Sequence, residues 1–225
     1  MKTGKHKRTL TLTLACVLTL SPASANFISG VTAPGLTHVQ AAKKPPKKGW
    51  YTTPKKNRQY YRRGKFVTGL QKIRNNYYYF NKKGIMQTGT VKCRKVTYYL
   101  NDKGIVEASH KKSSYYYGNG KKMSKTDAQD FQTLLTAKSI VKQITNSRMS
   151  QAEKLKKCFD WVISKPYVTR RTFANTAGWP ALYANDHFLL GGGNCFADAA
   201  AFAYLAKALG YKKVYVCVDC DGSGG

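Results

Sequence analysis

Cys195 stands directly after Gly191-Gly192-Gly193-Asn194 and opens a run of strong helix formers, Ala197 to Ala208. A thiol in the first turn of a helix meets the positive end of the helix dipole and unpaired N–H groups. That setting favours thiolate and can hold an oxyanion. The chemistry would be nucleophilic attack on a carbonyl, and the preceding glycines let backbone approach a substrate without a Cβ in the way. A buried structural thiol fits the same residues. A general base is harder to place: His187 reads as a loop histidine without a catalytic role, and Asp186, Asp219 and Asp221 have no partner that spacing assigns. Asp198 falls three residues into the helix, along its side. Cys217-Val218-Asp219-Cys220 is a lone C-x-x-C without a second pair, so no metal is expected there, and Cys217 reads as a half-buried strand residue. No cofactor is expected.

A second set of residues is aromatic and basic. Tyr60-Tyr61 precede Gly64, Tyr79-Phe80 precede Gly84, Tyr98-Tyr99 precede Gly104, and Tyr116-Tyr117 precede Gly120. Gly64, Gly84 and Gly104 recur every 20 residues, as do Gly69 and Gly89, and a fixed period means an array. Asn81-Lys82-Lys83-Gly84 and Asn101-Asp102-Lys103-Gly104 read as hairpin loops between short strands. One hairpin is marginal alone, so the units must stack and bury aromatics on their neighbours.

The elements around Cys195 follow from helical spacing. Asp127 to Thr145 carries apolar residues at Phe131, Leu134, Leu135, Ile140, Val141 and Ile144, with Ser124 or Thr126 as cap. Ser150-Gln151-Ala152-Glu153 is a capping-box pattern that opens a second helix ending before Pro166. Residues 166–194 read as an irregular loop, the Cys195 helix stops at Leu209-Gly210, and Val214 to Val218 reads as a strand.

Of 225 residues, 39 are Lys or Arg and 10 are Asp or Glu, giving a net charge of +29. Between Lys43 and Met123 there are 22 basic residues against Asp102 and Glu107, whereas from Ser124 onward there are 13 against 8. The chain therefore divides near residue 123, and the basic half needs an anionic partner. A hydrophobic content of 42% excludes a wholly disordered chain. No apolar run reaches the roughly 18 residues of a membrane span. The N-terminus instead reads as a cleaved export signal: Lys2, Lys5, Lys7 and Arg8, then apolar Leu10 to Leu20, then Ala23-Ser24-Ala25. Residues 26–48 form a linker ending in Lys43-Lys44-Pro45-Pro46-Lys47-Lys48. Export directs the basic charge to a wall polyanion such as teichoic acid, or a wall glycan, rather than to nucleic acid.

Gly49-Trp50, Tyr79-Phe80 and Gly84-Ile85-Met86-Gln87-Thr88-Gly89 resemble the cell-wall-binding repeats of Gram-positive surface proteins, relatives of choline-binding and glucan-binding repeats. The resemblance implies that Trp50, Tyr60, Tyr61, Tyr79, Phe80, Tyr98 and Tyr99 make the wall-binding surface. The family usually has Trp after the second glycine, where this chain has Leu70 and Thr90, so a choline cage is not expected.

Residues Lys154 to Trp161, Tyr167, Gly193-Asn194-Cys195, Ala199, Phe202, Leu205 to Leu209 and Gly210-Tyr211 resemble the core of transglutaminase-like proteins, a papain-related cysteine superfamily. The resemblance implies an α+β domain in which Cys195 forms an acyl-enzyme with a protein or peptide amide, and in which Trp179 could donate its indole N–H to the oxyanion. The family's triad His and Asp lie on strands that would begin near Gly222 to Gly225. They are absent from these residues, so the domain is expected to be the N-terminal part of a longer one. The expected organisation is a signal peptide (1–25), a linker (26–48), a solenoid-like β-hairpin repeat array (49–123) and a truncated transglutaminase-like domain (124–225). Such a protein would sit at the cell wall or surface, as a thiol enzyme or as a non-catalytic adhesin.

Overall fold

The computed structural model describes residues 44–217, so the export signal, most of the linker and Cys220 lie outside the described residues. Nine short antiparallel strands come first: β1 (Gly49–Thr52), β2 (Arg58–Arg62), β3 (Lys65–Phe66), β4 (Gly69–Ile73), β5 (Asn76–Phe80), β6 (Gly89–Cys93), β7 (Val96–Leu100), β8 (Val106–Lys111) and β9 (Ser114–Tyr117). They form sheets of three, two and four strands in chain order.

The loops differ from the sequence expectation. The tight hairpin turns fall at Arg74-Asn75, Arg94-Lys95 and Lys112-Ser113, not at the Asn-x-x-Gly segments. Each puts a basic residue at positive φ: Arg74 at 54°, Arg94 at 52° and Lys112 at 54°. Asn81 instead accepts from the N–H groups of Lys83 and Ile85 at 2.9 and 3.0 Å, and Asn101 repeats this with Lys103 and Ile105. An asparagine binding its own backbone this way makes a wider turn, which leads the chain out of one hairpin and into the next.

Stacking is carried by the 20-residue period. A Cβ on Gly84 would lie 2.4 Å from the Phe66 ring, and one on Gly104 would lie 2.6 Å from the Met86 sulfur. Each glycine thus sits under a side chain of the preceding unit, at φ of 69° and 77°. The Met86 N–H donates to the Arg58 carbonyl at 2.8 Å, and Gln59 Nε2 to the Lys83 carbonyl at 3.0 Å, tying the first unit to the second. Tyr61, Phe80 and Leu100 are buried in successive units, as are Ile73 and Val106.

Four helices follow: α1 (Lys125–Ile144), α2 (Gln151–Ile163), α3 (Trp179–Leu190) and α4 (Cys195–Ala208). Ser124 caps α1, and at α2 both halves of the capping box form, Ser150 with the Glu153 N–H and Glu153 with the Ser150 N–H. Helix α3 corrects the loop expected over 166–194. Pro180 occupies its first turn, where no N–H is needed, and Gly191 closes it at φ 76°. Helix α4 is the centre, with Ala197, Ala200, Ala201, Ala203, Tyr204, Leu205 and Ala206 buried against α1, α2 and α3. The alanines let four helices approach closely.

Residues 214–217 form no strand, which corrects the expectation there. They keep an alternating pattern, with Val214 and Val216 half-buried and Tyr215 and Cys217 exposed, but among the described residues no neighbouring strand pairs with them. A β-branched run becomes a strand only when a ladder partner is present. Strand and helix regions meet through Phe131, 5.2 Å from Tyr99 and 6.0 Å from Tyr115, and through Lys138 and Glu107 at 3.6 Å.

Candidate functional site

The ladders make positions in successive hairpins equivalent. Trp50 pairs with Tyr60, Leu70 with Tyr79, and Thr90 with Tyr99. Trp50 is set edge-on to Tyr60 and Tyr78, at 5.2 and 5.1 Å, and lies 6.0 Å from Phe80. Arg58 lies over its face, with Cζ 4.3 Å from the ring centroid. The wall-binding set expected from sequence therefore divides. Trp50 and Tyr60 share a face, while Tyr61 and Phe80 are buried packing residues. Tyr79 and Tyr98 form a second pair, 5.7 Å apart. Tyr99 turns toward Tyr115 and Phe131, at the junction with α1. A hydrogen bond with Cys93, followed by burial, raises the Tyr79 hydroxyl above its ordinary value, and burial raises Tyr98, so both rings stay neutral.

Sequence reasoning missed Tyr78, Arg58 and a recess of about 220 Å³ whose lining includes Leu70, Tyr77, Tyr98, Tyr117 and Asn119. Its three tyrosines come from three successive hairpins. Among the described residues, no lysine or arginine of 44–123 forms an ion pair.

Cys195 is exposed and is the first residue of α4, behind Asn194, whose side chain accepts from the Ala197 N–H at 3.2 Å. The glycine turn before it is pinned. The Val168 N–H donates to the Gly193 carbonyl at 2.9 Å, while Arg170 donates to the carbonyls of Gly192 and Leu190 at 3.0 and 2.7 Å. Gly192 is required as glycine, because a Cβ there would lie 2.3 Å from the Pro166 carbonyl oxygen. Asp186, without a partner in the sequence reading, receives both donors of Arg171 at 2.6 Å. Trp179 lies buried in α3 within an aromatic group of Phe173, Tyr183 and Phe196, the residue after Cys195.

His187 is not a loop residue. It is buried in α3, with Nδ1 2.9 Å from Asp198 Oδ1, although neither ring nitrogen is aligned for a hydrogen bond. Burial holds the imidazole below its ordinary value against the opposing pull of Asp198, and burial raises the Asp198 carboxyl. Cys158 is an inert contrast to Cys195, its thiol pushed up to about 11 by burial. Cys217 is exposed rather than half-buried in a strand.

Residues 67–106 match the family model of the choline-binding repeat. Among solved structures, choline binding protein F from Streptococcus pneumoniae is 24% identical, over 34% of this chain and 28% of that one, with a TM-score of 0.27. The modular Cpl-1 endolysin, solved with a peptidoglycan analogue, is 27% identical over 33% of this chain and 24% of that one, with a TM-score of 0.27. Alternansucrase, solved with isomaltononaose, is 22% identical over 34% of this chain and 6% of that one, with a TM-score of 0.28. This chain thus spans a minor part of each. Among curated proteins none matches.

Proposed function

We propose that the chain is an exported, wall-attached protein of a Gram-positive cell surface, held there by its repeat array through an anionic wall polymer such as teichoic acid, or a wall glycan. The carrying observation is a stack of hairpins, part of which matches the choline-binding repeat, whose basic residues form no ion pair among the described residues. No helix among the described residues is long and apolar enough to cross a membrane. The test is retention of the full chain on purified walls before and after teichoic acid is stripped. Binding should weaken steeply as salt passes physiological strength and should fall on stripping; unchanged binding would point to the glycan.

A second reading concerns the helical part, as a transglutaminase-like thiol acyltransferase or amide hydrolase. It is favoured by the exposed Cys195 at the start of α4 behind a pinned glycine turn. Cys195 would attack an amide carbonyl, and the C–N bond would break with the nitrogen leaving as ammonia or an amine that takes up the thiol's proton. The thioester would then pass its acyl group to an amine or to water, regenerating the thiol. Iodoacetamide should modify Cys195 far faster than buried Cys158, and Cys195→Ala should leave wall binding intact. Equal rates for the two thiols would leave the non-catalytic adhesin.

A further inference from the structure

The three equivalent ladders isolate one position where this chain departs from its own pattern. The residue two places before Tyr60, Tyr79 and Tyr99 is Arg58, Tyr77 and Thr97, paired across the ladder with Thr52, Lys72 and Lys92. Thus the one ladder of the three with an indole, at Trp50, also carries an arginine diagonal to it. The Arg58 guanidinium lies 4.3 Å from the indole centroid, while Tyr60 and Tyr78 meet the indole edge-on. Aromatic rings around a cation on an indole face are the arrangement that recognises quaternary ammonium groups. Here the cation belongs to the chain, and being tethered two residues from Tyr60 it precedes any ligand.

The guanidinium is also open at its edge. Arg58 is exposed and, among the described residues, its side chain forms no ion pair and no hydrogen bond. Arg62 lies 5.8 Å from the Tyr60 ring but uses its donors on Gln71 Oε1 and the Lys72 carbonyl, at 3.1 and 2.7 Å. The Arg58 backbone is fixed by the bond from the Met86 N–H, so the fork is presented from a held position. A planar guanidinium stacked on one face keeps in-plane N–H groups that match two oxygens of a phosphate.

We propose that Arg58, laid on Trp50, is an anion anchor that takes a phosphodiester of the wall polymer and, by covering the indole face, closes the first hairpin to quaternary ammonium ligands. This rests on the wall-polymer reading above and names the chemistry of one of its contacts. The test measures binding of the full chain, wild type, Arg58→Lys, Arg58→Gln and Lys82→Gln, to glycerol-phosphate oligomers and to intact walls, with choline chloride as a second probe read by tryptophan emission. Arg58→Lys keeps the charge but loses the fork, and should weaken oligomer binding by about five- to tenfold with an unchanged salt slope. Lys82→Gln should chiefly lower the slope, by about one contact. Choline should leave the wild-type emission unchanged and alter it in Arg58→Gln. If Arg58→Lys binds oligomers like the wild type, or if choline changes the wild-type emission, the anchor is wrong while wall binding stands. If the wild type binds neither walls nor oligomers, the wall-polymer reading falls and the anchor with it.

Discussion

The repeat array and the helical region treat charge and packing in opposite ways. In the helices several groups are matched inside the chain: Arg171 with Asp186 and Lys156 with Asp160 as ion pairs, and the Asp198 carboxyl beside the buried His187 ring. In the array the basic residues are exposed and, among the described residues, form no ion pair. The helical core is built from small residues gathered around α4, whereas the array buries a few large residues, Tyr61, Ile73, Phe80, Leu100 and Val106, and leaves most of its other aromatics half-exposed. The helical region thus closes on itself, while the array keeps its chemistry for something outside. That difference is why the binding role is assigned to the array.

The sharpest way to break the contrast is to open the helical core. Leu205 is fully buried in α4, and Leu205→Ala should lower stability by about 2–5 kcal/mol, read as a drop in the unfolding midpoint in urea. If the array carries the wall contacts, as proposed, binding to walls at low temperature should be nearly unchanged. A parallel loss of binding would show that the helical region forms part of the surface.

A change of one methyl group in the array sharpens the comparison. Gly84→Ala combines a φ of 69° with a Cβ 2.4 Å from the Phe66 ring, whereas Gly89, at φ 71°, has nothing within 4 Å of its Cβ position. Gly89→Ala should therefore cost about 1 kcal/mol, from backbone strain alone, and Gly84→Ala roughly twice that or more. Unlike Leu205→Ala, Gly84→Ala should weaken wall binding, since it wedges two units apart. Equal costs at the two glycines would mean that units do not stack through Phe66.

These glycines were legible because a period survives any uncertainty about local structure. The caps Ser124 and Ser150 were legible for a related reason: their partners lie three residues away, within reach of a sequence window. Helix α3 was not, because Gly178-Trp179-Pro180 and the triple glycine read as breaks, although Pro in a first turn and Gly at a C-terminus are also the marks of a short helix. Arg171 with Asp186, His187 with Asp198, and Arg58 over Trp50 depend on elements being folded beside each other, and no spacing announces them. The position of Cys195 at a helix start was readable from residues. Whether it does chemistry depends on groups the sequence does not align.

A milder test uses acid. Burial lowers the His187 imidazole in the folded state, with Lys165 adding to the shift and Asp198 opposing it. The unfolded chain then binds the proton more readily, so stability should fall as pH drops through about 6.5, the ordinary imidazole value. Burial of Asp198 acts in the other direction, reducing stability above the ordinary carboxylate value and restoring it as pH falls through the raised folded value. Urea midpoints between about pH 8 and 5.5 should decline in the wild type and flatten in His187→Gln. An equal decline in both would assign the acid sensitivity elsewhere.

The smallest effect is expected where the two regions touch. Lys138 and Glu107 lie 3.6 Å apart, and their side chains are 44% and 41% exposed. At that exposure water and salt screen the pair, and ordering two long side chains offsets most of the attraction, so Glu107→Gln should change stability by less than about 0.5 kcal/mol. Phe131 is the contrast. It meets Tyr99 edge-on at 5.2 Å and Tyr115 at 6.0 Å, contacts that salt does not weaken. Phe131→Ala should therefore destabilise by more than Glu107→Gln at any ionic strength, and should separate array and helices into two unfolding transitions if this contact is what couples them. A single transition in Phe131→Ala, with Glu107→Gln the more damaging at low salt, would reverse the assignment and make the junction electrostatic.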